Sequence, residues 1–232
     1  MNKFAIQIID LSFEYYIKND NSSIRKKLFS IFQKTKNKEN NNKVVFKDIN
    51  LNISKGDAVG LYSSNGSGKT TLLKLIYGVY KPTNGQIKIN GKCNSIIDIF
   101  AGSENEANGI ENIYIRSLLN GKSKSNIKKN IKKIIDFSEL KDSINNPFKT
   151  YSSGMKLRLV FSTSILSDAD IYLIDEWISV GDAKFQKKCL KKINELKKKN
   201  KTVIITSQNI DFLRKFCDYV YTINNTKLLL KK

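Results

Sequence analysis

The sequence predicts an α/β fold: a mostly parallel sheet with a glycine-rich loop between a strand and a helix, β-strands at the N-terminus and an inserted helical subdomain. Three observations carry this. The run Ser63-Ser64-Asn65-Gly66-Ser67-Gly68-Lys69-Thr70-Thr71 follows an apolar strand and opens a helix. The apolar stretch Ile171-Tyr172-Leu173-Ile174 ends in Asp175-Glu176, as a central parallel strand with acids at its tip would. Between about residues 103 and 167, helical periodicity replaces the strand pattern.

Residues 4–13 are rich in β-branched and aromatic side chains and read as a strand. After a polar break at 19–23, Ile24, Leu28, Ile31 and Phe32 recur at helical spacing with Arg25, Lys26, Lys27 and Lys34 between them. This predicts a basic amphipathic helix over 23–34. A polar linker at 35–43 precedes a strand at 44–53. A Lys55-Gly56-Asp57 turn then leads to the strand Ala58 to Leu61 and the glycine-rich run. The following helix runs to about Gly78, and Pro82-Thr83-Asn84-Gly85 turns the chain into strands near 86–89 and 95–99. Helices are expected at 111–119, 126–137 and 153–166. Asp182 is placed to cap a helix over 183–199, whose apolar face is Phe185, Cys189 or Leu190, Ile193 and Leu196. Strands at 202–207, 219–223 and 227–230 and a helix near 210–216 complete the pattern. The whole is read as one domain, with the helical subdomain at about 103–167.

Composition bounds the function. The chain has 232 residues, 40% of them apolar, enough to bury a sizeable core. Its formal net charge is +20. A basic protein can bind nucleic acid or an anionic membrane. Here the lysines are spread along the chain and sit on helix faces that water would cover anyway, so a direct nucleic-acid partner is not expected. Cys93, Cys189 and Cys217 match no zinc or redox spacing, and their odd number fits a reducing compartment. No stretch approaches the ~18 apolar residues of a membrane span, so a soluble chain is expected. There is no histidine, which excludes imidazole catalysis.

The small residues of 63–68 let backbone N–H groups curl around a polyphosphate, and the helix that follows adds its positive end. Lys69 is placed to meet the β- and γ-phosphates, and Thr70 to ligate Mg²⁺. Ser63 stands five residues before Gly68, where such loops place glycine. It costs ~1–2 kcal/mol if the backbone there has positive φ, and nothing otherwise. Asp175 is the candidate partner of Mg²⁺, and Glu176 the group that orients the attacking water. Two adjacent acids after a buried strand are costly unless something cationic sits beside them.

Tyr151-Ser152-Ser153-Gly154-Met155-Lys156-Leu157-Arg158-Leu159 resembles the signature motif of ATP-binding-cassette (ABC) ATPases, in the form found in exporters of O-antigen, capsular polysaccharide or teichoic acid. The stretch from Leu173 through Asp175-Glu176-Trp177 and Asp182-Ala183-Lys184-Phe185 to Cys189 resembles the same subfamily's acidic motif and the loop after it. The resemblance implies an ATPase with ATP and Mg²⁺ as ligands, working as a homodimer. In that dimer Ser152, Ser153 and Gly154 of one subunit face the nucleotide held by Lys69 of the other, with Asp182 nearby. It also implies a separate membrane permease, a peripheral position on the cytoplasmic face of the cell membrane, and a gate helix at 23–34. Asp98 falls at the position that touches Mg²⁺ and the permease. Tyr15, or Tyr16 beside it, is the candidate to stack on adenine. Gln208 stands where the family has a histidine at the γ-phosphate. It can donate a hydrogen bond but carries no charge, so with Ser63 it points to reduced turnover. An ATP-gated regulatory module with weak hydrolysis is the alternative, as is a soluble ATPase acting on nucleic acid.

Overall fold

The computed structural model describes residues 3–16, 42–176 and 182–232. The expected helix at 23–34, and residues 177–181 after Glu176, lie outside these.

The N-terminal strands form their own antiparallel sheet in the order β2-β1-β4, from β1 (Phe4–Tyr16), β2 (Asn42–Ser54) and β4 (Asn84–Ile89). Register follows burial, since Ile8 lies between Leu51 and Ile87, and Ile6 between Ile53 and Ile89. The one apolar face this makes packs on the main sheet through Leu11, Phe46, Leu72 and Ile204.

The main sheet runs β5-β6-β7-β3-β8-β9, from β3 (Ala58–Tyr62), β5 (Cys93–Ile96), β6 (Ile171–Ile174), β7 (Thr202–Ser207), β8 (Tyr219–Asn224) and β9 (Lys227–Leu230). All neighbours are parallel except the β8–β9 hairpin. Every residue of β6 and β7 is buried, which explains the apolar runs 171–174 and 203–205. On one face lie α5 (Ala183–Lys198) and α6 (Ile210–Phe216). α5 buries Phe185, Cys189, Ile193 and Leu196, so Cys189 and not Leu190 completes its stripe. α6 comes close to β3 because position 60 is glycine: a Cβ there would stand 3.1 Å from both Cys217 Sγ and Leu213 Cδ2.

The glycine-rich run leads into α1 (Lys69–Tyr77), on the face covered by the antiparallel sheet. Between β5 and β6 come α2 (Gly109–Leu119), α3 (Lys124–Ser138) and α4 (Ser153–Ile165), with a core of Ile113, Ile127, Ile134, Phe148, Leu159 and Val160. Their starts are fixed chemically. Asn108 and Glu111 make a reciprocal capping box at α2. Ser123 caps α3, Ser152 caps α4 and Asp182 caps α5.

The six-strand order decides where chemistry can sit. β3, β7 and β6 are consecutive and parallel, so the loops leaving their carboxyl ends share one edge. Those loops carry the glycine-rich run, Gln208 and the Asp175-Glu176 pair.

Candidate nucleotide-binding site

The glycine-rich loop leaves β3 and enters α1 through Gly66 (φ 77°) and Gly68 (φ 109°), and Gly68 is the residue that caps α1. Gly68 is required by space as well as by φ. A Cβ there would lie 2.8 Å from Val45 Cγ1 and 3.0 Å from Phe46 Cζ. Ser63 is not among the residues with positive φ. Its hydroxyl turns into the loop, hydrogen-bonded to Ser67 Oγ, so serine here carries no backbone strain. Lys69 is buried to 5% exposure and curls back to donate to the carbonyls of Ser63 (2.7 Å) and Ser64 (3.0 Å). Those carbonyls hold the ammonium inside the glycine-rich loop.

The acids meet this loop from β6. Thr70 Oγ1 donates to Asp175 Oδ2 at 2.6 Å, and Thr206 of β7 donates to Asp175 Oδ1. Glu176 adopts φ 42°, rare for a residue with a side chain. Its N–H donates to Thr206 Oγ1 at 3.0 Å, and its carboxylate lies 3.8 Å from Lys69 Nζ. Gln208 donates both to Asn65 Oδ1 (2.8 Å) and to Glu176 Oε1 (3.3 Å), linking the loop to the second acid. Lys69 is thus the cation beside Glu176, while two hydroxyls satisfy Asp175.

Ser64 through Thr71, Asp175, Glu176 and Tyr15 line one open cavity of about 780 Å³, with room for a nucleotide. The Tyr15 hydroxyl bonds Thr71 Oγ1 at 3.0 Å, and its ring stands edge-on to Phe13 and Tyr80. Tyr16 is 72% exposed and does not line the cavity. Sequence reasoning missed another part of the wall: Ile223, Asn224, Asn225 and Thr226, at the β8–β9 turn. The turn itself was legible between two strands. Its arrival at the loop depends on β8 pairing with β3 and on Lys47 N–H donating to Thr226 O at 3.1 Å.

Among the described residues no group of three or more His, Cys, Asp or Glu side chains could hold a metal ion. Thr70 and Asp175 form a hard-oxygen pair instead. That is the donor set expected of Mg²⁺ bound jointly by one carboxylate, a hydroxyl and nucleotide phosphates.

Ser152, Ser153, Gly154 and Asp182 lie apart from this cavity. They line a second cleft of about 600 Å³, shared with Arg158 and Glu139. Ser152 Oγ accepts from Met155 N–H at 3.2 Å, and Asp182 Oδ1 from Phe185 N–H at 2.9 Å. The Phe185 N–H, helped by the Arg158 guanidinium, holds the Asp182 carboxyl below its ordinary range. A single subunit thus does not bring Gly154 to Lys69. Asp98 is elsewhere again. It pairs with Lys74 at 2.9 Å and lines a small groove of about 150 Å³ with Tyr77, Arg116 and Leu119, outside the phosphate-loop cavity.

A phosphate loop after β3, with acids after β6 and a polar side chain after β7 turned toward it, defines a P-loop nucleotide-binding domain. The chain belongs to the ABC transporter family, whose model matches residues 46–179. It is 40% identical over 225 residues to the teichoic acids export ATP-binding protein TagH of Staphylococcus haemolyticus, covering 97% of this chain and 83% of that protein. It is 40% identical over 185 residues to the O-antigen export system ATP-binding protein RfbB of Klebsiella pneumoniae, covering 80% of this chain and 75% of that one. The protein of the same description from Myxococcus xanthus is 42% identical over 170 residues. The match takes in 73% of this chain but spans only 39% of that relative's length. Among solved structures, an ATP-binding subunit of an ABC transporter superposes with a TM-score of 0.76 at 20% identity, covering 97% of this chain and 88% of that one. A dimeric ATP-binding cassette in a post-hydrolysis state with ADP and Pi gives 0.76 at 18%, covering 98% and 97%. Both likenesses are of fold.

Proposed function

We propose that this chain is the ATP-hydrolysing subunit of an exporter that moves a polysaccharide or lipid-linked glycan through a separate membrane permease. The observation that carries the ATPase part is the convergence of Lys69, Thr70, Asp175 and Glu176 on one cavity, with Gln208 bonded to two of its lining residues, Asn65 and Glu176. The glycan part rests on the O-antigen and teichoic acid exporters to which the chain is about 40% identical.

The proposed chemistry follows from the side chains. Lys69 exchanges its two carbonyl acceptors for the β- and γ-phosphates, gaining charge-assisted hydrogen bonds. Thr70 and Asp175 hold Mg²⁺, which when bound offsets phosphate charge. Glu176 orients and polarises water for attack on the γ-phosphate. Gln208 fixes Glu176 through its amide and stands at the family's histidine position without a charge. Because Ser63 is unstrained, only Gln208 remains as a reason to expect slow turnover.

The two clefts are the two halves of a dimer site. The second cleft offers the start of α4 at Ser152–Gly154, a helix N-terminus suited to a phosphate. It meets the phosphate loop of another copy, so that two subunits enclose two ATP molecules. No helix among the described residues is long and apolar enough to cross a membrane. The membrane path is therefore assigned to the permease, with this subunit peripheral on its cytoplasmic side. Asp98 and the segment 23–34 are assigned to the junction with it. Leu28→Glu should spare fold and ATP binding yet uncouple transport.

The test is co-expression with the six-span permease of a glycan exporter in cells lacking their own ATP-binding subunit. Surface glycan should return with the wild-type chain and not with Glu176→Gln. Absence of export alongside normal ATPase activity and permease binding would sink the glycan assignment.

A further inference from the structure

We infer that Thr206 is a positioning residue for the acid pair, setting both the Asp175 carboxylate and the Glu176 turn through one buried hydroxyl. The inference rests on the ATPase reading above and concerns how that site is held in shape.

Thr206 lies near the carboxyl end of β7, at 0% exposure, beside the apolar Ile204 and Ile205. A hydroxyl in such a place must be satisfied by the protein. This one uses both its capacities on the neighbouring strand's end. Its hydrogen goes to Asp175 Oδ1, and its oxygen accepts from the backbone N–H of Glu176 at 3.0 Å. The two bonds act on different features. The first, with Thr70 on Oδ2 at 2.6 Å, clamps the Asp175 carboxylate between two hydroxyls and fixes its rotation. The second ties down the backbone of Glu176, whose φ of 42° is held against the preference of a non-glycine residue. A turn of that kind persists only when its surroundings over-determine it, and Thr206 is one of the groups that do so. Gln208 then meets the same residue from the side-chain end. β7 and the residue after it thus contribute two neutral groups, Thr206 aligning the Glu176 backbone and Gln208 its carboxylate, in a chain with no histidine to serve there.

The test compares Thr206→Val, which keeps the buried shape and removes the hydroxyl, with Thr206→Ser, which restores the hydroxyl. Trp177, the single tryptophan, follows Glu176 directly and gives an optical signal that needs no nucleotide. Thr206→Val should lower kcat about tenfold, the order expected for losing a hydrogen bond to a charged group, with KM for ATP within about twofold. It should raise the Mg²⁺ concentration for half-maximal activity several-fold and change the Trp177 emission of nucleotide-free protein. Thr206→Ser should return all of these to near wild type. Thr206→Ala, read in the same way, serves if the valine variant does not accumulate as folded protein. A hydroxyl-free variant with wild-type kcat, Mg²⁺ requirement and emission overturns this inference and leaves the ATPase reading intact. Losses that serine fails to repair also overturn it, since they would trace to packing. A wild-type chain without Mg-ATP turnover overturns both.

Discussion

Replacing Gly68 by alanine tests the link between the N-terminal sheet and the phosphate loop. The residue sits at φ 109°, and an added Cβ would lie 2.8 Å from Val45 Cγ1 and 3.0 Å from Phe46 Cζ, both on β2. Forcing a side chain into left-handed backbone costs about 1–2 kcal/mol. Pushing a methyl group into packed neighbours adds about 1–3 kcal/mol. The sum, roughly 2–5 kcal/mol, is a large share of the ~5–15 kcal/mol that holds a domain folded. It can appear in two ways. If the loop stays put, the melting temperature falls by roughly 4–20 °C, taking about 2–4 °C per kcal/mol for a chain of this size. If the loop yields, the cost is met when nucleotide binds, and ATP affinity drops about 30-fold or more. Calorimetry and a fluorescent-ATP titration on the same sample separate the two. Gly66→Ala is the internal control, because a Cβ there meets nothing within 4 Å and only the backbone cost at φ 77° applies. A Gly68→Ala protein that melts and binds ATP like wild type, or that is perturbed less than Gly66→Ala, would show that β2 leaves room for a side chain at this position.

Lys69→Ala should abolish measurable ATP affinity in the same titration, since Lys69 is the ammonium held at the mouth of the cradle. The three thiols should be inert to a maleimide in the native protein at pH 8 and react on unfolding, because burial pushes each up to about 12. The Asp170 carboxyl is held below its ordinary range, first by the Lys92 N–H and then by the Lys201 ammonium. A depressed folded pKa gives stability that is full above the unfolded carboxylate value and lost as pH falls through the folded one. Asp170→Asn should thus cost more at pH 7 than at pH 3 in urea melts. The cost should be ~1 kcal/mol or less, because the pair is half exposed.

Legibility in the sequence followed the strength of local signals. Ile171–Ile174, Thr202–Ser207 and Lys227–Leu230 fall where the apolar runs put them. The Asp182 cap does too, because a side-chain acceptor three residues before a free N–H is a local matter. Ends governed by neighbours were less clear. β1 continues to Tyr16 because β2 pairs with it down to Asn42, and β5 stops at Ile96 where β6 ends beside it. The start of α2 at Gly109 is marked locally by the Asn108–Glu111 capping box, two residues before the start that the apolar spacing predicts. In the site, Lys69, Thr70, Asp175 and Glu176 are marked by motif. Thr206 and the Asn224–Thr226 wall are not, because only strand order brings them there. No periodicity could show that Ser152–Gly154 and Asp182 occupy a separate cleft, since that depends on where three helices pack.

The most direct test of ATP hydrolysis at Glu176 is one experiment on the purified chain, wild type beside Glu176→Gln, in Mg-ATP. Phosphate release and bound nucleotide are read together with mass by size-exclusion chromatography and light scattering. Wild type should release phosphate. The variant should bind ATP as tightly, release phosphate at least 10²-fold more slowly, and run as a dimer with two ATP per pair. A variant that turns over at the wild-type rate, or a wild-type chain that binds ATP and dimerises stably without releasing phosphate, would contradict ATP hydrolysis at Glu176.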